Sequence, residues 1–112
     1  MDLKQRFEQA VDFFAQGKRE EAAEALKGLI AKDPDFKDAY ESLGMVYYKM
    51  GRLDEAIEWT EKLTARDPDH AMAHTNLSVF YMKKGDKDRA EVEKAKATVL
   101  NFSKPKNEKS RE

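Results

Sequence analysis

The chain contains no cysteine, so neither a disulfide framework nor a thiolate metal site is available to it. It also lacks a surplus of either charge: 21 basic residues face 22 acidic ones, for a formal net charge of −1. Nucleic-acid binding and a polybasic membrane anchor both call for clustered Lys and Arg, and this balance supplies neither. No stretch reaches the roughly 18 consecutive apolar residues of a membrane span. No apolar run of signal-peptide length follows Met1-Asp2-Leu3-Lys4-Gln5-Arg6. Phosphate-loop, nucleophile-elbow and metal-protease signatures are missing too, and the many carboxylates are spread over helix faces rather than paired in an apolar setting. The expectation is a soluble cytoplasmic protein that is not an enzyme and needs no cofactor. At 112 residues it is long enough for one domain with its own core.

What the chain does have is a period. Gly17, Gly51 and Gly85 stand 34 residues apart, as do Phe13, Tyr47 and Tyr81, and as do Ala22, Ala56 and Ala90. Asp33-Pro34 returns as Asp67-Pro68, and one further step reaches Asn101-Phe102, where the motif is lost. Several residue classes held in one register mark an internal repeat.

Each unit divides into two helices. Tyr40, Leu43-Gly44 and Tyr47 recur at helical spacing, and Met50-Gly51 closes the run. A second helix starts near Leu53 with Asp54 and Glu55 in its first turn, where they suit the helix dipole. Ala56, Ile57 and Leu63 lie on one of its faces, and it ends at Asp67-Pro68 because proline cannot continue it. Asp35 and Asp69 are the expected N-caps of the helices that follow. The pattern predicts six helices at about residues 2–16, 19–32, 37–50, 53–66, 70–84 and 87–101.

A two-helix unit of this length with Tyr40-x₂-Leu43-Gly44-x₂-Tyr47, Ala56 and Pro68 resembles the tetratricopeptide repeat. Thr60 stands where that family places Phe, the first unit has Gln9-Ala10 in place of Leu-Gly, and the third departs from the pattern after Ala90. The resemblance implies an all-α fold, a right-handed superhelical solenoid of three repeats at about 3–36, 37–70 and 71–102. Residues 103–112 are expected to form a disordered, polar, slightly basic tail. Gly44, with Ala10 and Ser78 in the same slot, is expected to let paired helices approach closely. Phe13, Tyr47 and Tyr81 are expected to fill the gaps between units.

The resemblance also implies that the first helix of each unit lines a groove for a peptide or partner helix. Extra apolar residues sit there: Phe7, Val11 and Phe14, then Met45 and Tyr48, then Val79 and Met82. Val11, Met45 and Val79 share one register position; Phe14, Tyr48 and Met82 share another. The rim implied is Lys4, Asp38, Glu41, Ser42, Lys49, Thr75, Asn76 and Lys83. An apolar groove of this kind suits a hydrophobic peptide or amphipathic helix, unless the same side chains are spent on packing against neighbouring helices. One branch of the family clamps the terminal carboxylates of chaperones with basic side chains. The matching positions here are Phe7, Val11, Ser42, Met72 and Asn76; none is basic, which disfavours that role.

The last helix differs from its predecessors. Glu91 and Lys94 replace Ala23 or Ile57, and Leu26 or Thr60, as expected where an array ends. It gains a stripe of Val92, Ala95, Val99 and Phe102, spaced 3, 4 and 3, which reads either as a frayed or tail-covered helix or as the seam of a weak homodimer. His70 and His74 are four apart but fall short of the four ligands of a structural zinc site, and His74 takes the packing position of Tyr40. The function expected is protein–protein interaction through the groove. The alternative is a self-associating scaffold subunit assembled through its last helix.

Overall fold

The structure, a computed structural model, describes residues 1–103. It consists of α1 (Leu3–Ala15), α2 (Arg19–Lys32), α3 (Lys37–Lys49), α4 (Leu53–Arg66), α5 (Ala71–Lys84) and α6 (Lys87–Ser103), with no strand among the described residues. The helices form three hairpins, α1 on α2, α3 on α4 and α5 on α6. Successive hairpins join through α2 on α3 and α4 on α5, and α1 also touches α3. This is a helical-repeat solenoid. No helix among the described residues is long and apolar enough to cross a membrane.

The repeat determines where each hairpin turns. Gly17, Gly51 and Gly85 adopt φ of 80°, 77° and 93°, a left-handed conformation that glycine enters without a Cβ penalty. The helices then bury one stripe each. Ala22, Ala56 and Ala90 are wholly buried, and Leu26, Leu43, Leu63, Leu77 and Phe80 fill the space between layers. Tyr47 and Tyr81 are buried, whereas Phe13 at the first unit is partly covered. Tyr81 donates its hydroxyl to Glu61 of α4, tying the third unit to the second.

Two local expectations need correction. Neither Asp35 nor Asp69 is an N-cap. Phe36 occupies that position before α3 with no side-chain cap, and His70 does so before α5, its Nδ1 accepting from the Ala73 N–H at 3.1 Å. The physical reason lies one step upstream. Asp33 Oδ1 accepts from the Asp35 N–H at 3.1 Å, so the turn is organised by Asp33, while Asp35 is free to pair with Arg66 at 2.7 Å. The other correction concerns the end of α6, which continues through Ser103, whose hydroxyl donates to the Val99 carbonyl at 2.8 Å. The rest of the expected tail, residues 104–112, lies outside the described residues.

Candidate functional site

The side chains expected on the groove do not form one continuous track. Phe7, Val11 and Phe14 of α1 meet Asp38, Glu41, Ser42 and Met45 of α3 around a hollow of about 360 Å³. Val11 is 43% exposed there, with Phe7, Phe14 and Met45 partly covered. A second hollow of about 580 Å³ opens between α5 and α6, with Val79, Met82 and Lys83 on one side and Glu91, Lys94 and Ala97 on the other. Val79 and Met82 are 46% and 47% exposed.

Tyr48 divides the two. Its ring stacks on Phe80 of α5 with centroids 4.9 Å apart, so it is a packing residue between units more than a contact offered to a ligand. Phe7 is also engaged, its ring 5.5 Å from that of Phe36. Lys49 is exposed and Asn76 and Ser42 are half-buried; Lys49 and Asn76 line neither hollow. The partition follows from the repeat. Part of α1 meets α3 and Tyr48 of α3 packs on Phe80 of α5, whereas Met82, in the register of Tyr48, has no following helix among the described residues to cover it. Glu91 and Lys94, in the register of Ile57 and Thr60, wall this hollow at the end of the stack. Sequence spacing alone marks those two charges as a departure expected where an array ends, without showing that they line one hollow with Val79 and Met82.

The stripe on α6 is exposed as expected. Val92, Val99 and Phe102 are 53%, 63% and 91% accessible, and Ala95 is also exposed. By helical periodicity they lie opposite Ala90 and Ala97, the two residues that α6 buries. Ala95 and Val99 also border a third hollow, of about 450 Å³, with Pro68, Asp69 and His74.

The titratable groups serve the framework. Burial, reinforced by the hydrogen bond to Glu61, pushes the Tyr81 phenol up to about 12. The hydrogen bonds from Arg52 lower the Glu55 carboxyl, and the same contact raises the guanidinium. Arg52 also lies over the Tyr47 ring at 5.0 Å. His74 is buried, with Nδ1 at 2.6 Å from Glu93 and Nε2 at 2.7 Å from the Pro68 carbonyl. Among the described residues no group of three or more His, Asp or Glu is arranged to hold a metal ion.

A stack of two-helix units with glycine-closed turns and a 34-residue register defines an α-helical repeat protein. Two tetratricopeptide-repeat profiles match it, one over residues 13–75 and the other over residues 61–108, and the chain belongs to that family. Among solved structures, MamA superposes with a TM-score of 0.89 at 30% identity, covering 94% of this chain and 61% of MamA, so the chain spans about three-fifths of that protein. The translocator chaperone SycD of Yersinia enterocolitica, in complex with a peptide of the translocator YopD, gives 0.87 at 23% identity, covering 97% of this chain and 83% of SycD. PcrH in complex with the chaperone-binding region of PopB gives 0.87 at 20% identity, covering 95% and 86%. The last two likenesses are of fold. No curated protein sequence matches the chain.

Proposed function

We propose that the chain is a non-catalytic protein-interaction module that holds a hydrophobic peptide or the apolar face of a partner helix against its first helices. The observation that carries this reading is the partial exposure of Val11, Val79 and Met82 beside half-covered Phe7, Phe14 and Met45, in two hollows that the fold leaves open. Apolar and methionine side chains in a groove fit an amphipathic segment by burial without demanding one sequence. Asp38 and Glu41 at the first hollow favour a basic flank on the ligand. The SycD and PcrH complexes support the reading because the same fold holds peptide segments in both. Near-neutral charge favours a protein partner over nucleic acid, and the lack of cysteine suits the cytoplasm.

The test is selection of amphipathic peptides from a displayed library, followed by titration against the wild type, Val11→Glu and Met82→Glu. Affinity is expected to fall about tenfold or more in at least one variant, as for a substituted anchor contact. Unchanged affinity in both sinks the groove reading.

A second reading, weak self-association through α6, is favoured by the exposure of Val92, Val99 and Phe102. The stripe, from Val92 to Phe102, is about one and a half heptads long, well short of what a stable dimer of roughly 1,200–2,000 Å² requires, so any dimer through it is weak.

A further inference from the structure

We infer that His74, Glu93 and the Pro68 carbonyl form a proton-dependent latch that seats α6 on α5. Both ring nitrogens of His74 face acceptors, the Glu93 carboxylate at 2.6 Å and the Pro68 carbonyl at 2.7 Å. Neutral imidazole carries one N–H and would aim a lone pair at the other oxygen. Only the imidazolium donates to both. The side chains are 6% and 13% exposed, so water does little to relieve a mismatched contact.

The repeat shows what this arrangement replaces. One period upstream, Tyr40 donates its hydroxyl to the Pro34 carbonyl at 2.5 Å, and Trp59, in the register of Glu93, sits with its ring 6.2 Å from that of Tyr40. The third unit keeps the carbonyl contact but exchanges an aromatic pair for an ionisable one. It does so where apolar packing is thin. α6 buries only Ala90 and Ala97, whereas α4 buries Ala56, Ile57, Thr60 and Leu63. Further side-chain contacts between α5 and α6 are the Ser78 hydroxyl, which donates to the Ala90 carbonyl at 2.9 Å, and Arg89, which lies over the Tyr81 ring at 5.8 Å.

The charged neighbours come from each side. Lys96 of α6 holds the second Glu93 oxygen at 3.3 Å, and Asp69 lines the same hollow from the α4–α5 turn. Asp67, the C-cap of α4, is held by Lys37, and His70, the N-cap of α5, faces Glu41 of α3 at 3.9 Å. Because only the imidazolium offers a donor to both oxygens, the latch holds with the protonated ring and not with the neutral one. α6 supplies Glu91, Lys94 and Ala97 to the second hollow. Opening the latch therefore removes one wall of that hollow, a consequence that rests on the binding function proposed above.

The experiment is ligand-free, so its outcome is independent of peptide binding. Amide hydrogen exchange, corrected for the intrinsic pH effect, is compared between about pH 5.5 and about pH 8.5, which spans the range where histidine changes charge. Protection along Ala90–Ala97 is expected to fall about tenfold at the higher pH, the scale of one charge-assisted hydrogen bond, with α3 unchanged. In His74→Tyr with Glu93→Trp, which rebuilds the pair of the second unit, the fall is expected to vanish. Equal protection at both pH values in the wild type overturns the latch, as does a fall that persists in the double variant. If that variant does not fold, ring ¹⁵N spectra of the wild type decide, with His70→Asn assigning the other histidine. Two N–H protons on His74 at the lower pH support the latch and a single one overturns it.

Discussion

Gly44 of α3 lies so close to Thr60 of α4 that a Cβ on the glycine would come within 2.5 Å of the threonine Oγ1. The hydroxyl is not free to swing away at no cost, since it donates to the Ala56 carbonyl at 2.8 Å within a wholly packed layer. Thr60 stands at the family's Phe position, and the small residue across from it sets the helix spacing. Gly44→Ala gains about 0.5–1 kcal/mol of helix propensity but incurs an overpacking cost of about 1–3 kcal/mol, so a net loss of stability is expected. Adding Thr60→Ala should recover most of that loss. Thermal or urea denaturation of the two single variants and the double gives the coupling directly. A Gly44→Ala protein as stable as the wild type would show that the layer has slack.

The two kinds of groove residue should separate cleanly in stability. Tyr48 is stacked on Phe80, and its truncation to alanine removes a half-buried ring between units, at a cost of about 2–3 kcal/mol. Val11 and Met82 are nearly half exposed, and glutamate at either position should change stability by only about 0.5 kcal/mol. Urea denaturation of all three checks the contrast. It also fixes which variants are safe for binding measurements, because a loss of affinity in Tyr48→Ala would mix folding with recognition.

Much of the fold was legible because a repeat displays the same requirement three times. Gly17, Gly51 and Gly85 announce their positive φ by recurring where a helix must stop, and the alanine series announces close approach in the same way. Caps were less legible. Asp35 has the right chemistry for an N-cap, but only three-dimensional geometry shows that Asp33 already organises the turn and that Arg66 draws Asp35 away. The site was legible by composition and not by arrangement. Phe14, Tyr48 and Met82 share one register, yet their exposure depends on whether a following helix covers them, and that is a property of position in the stack. His74 illustrates a further limit. Its register marks it as a replacement for Tyr40, but the carboxylate that meets it comes from α6, 19 residues away.

The exposed stripe on α6 makes a prediction about mass. If Phe102, 91% accessible, anchors a self-association, light scattering of the wild type should show the average mass rising with concentration, and Phe102→Glu should abolish the rise. A protein that stays monomeric at the highest soluble concentration removes the scaffold reading and leaves the stripe as an uncovered helix face. The substitution is on an exposed position and should leave the thermal midpoint nearly unchanged, so a lost rise cannot be ascribed to unfolding.

Tyr81 links pH to the joint between the second and third units. Burial and the hydrogen bond donated to Glu61 hold its phenol at about 12, above the ordinary tyrosine range near 10. The folded state thus favours the protonated form. The stability this contributes is fully present below the unfolded-state value and is lost as pH rises from about 10 through about 12. Spectrophotometric titration should show one phenolate appearing near pH 12 in the wild type and absent from Tyr81→Phe. The same variant should lose about 1 kcal/mol at neutral pH, the scale of a hydrogen bond whose acceptor lies on an exposed glutamate. Its stability should also decline less steeply between about pH 10 and pH 12 than that of the wild type. A parallel decline in both proteins would mean that the hydroxyl is not what joins α5 to α4.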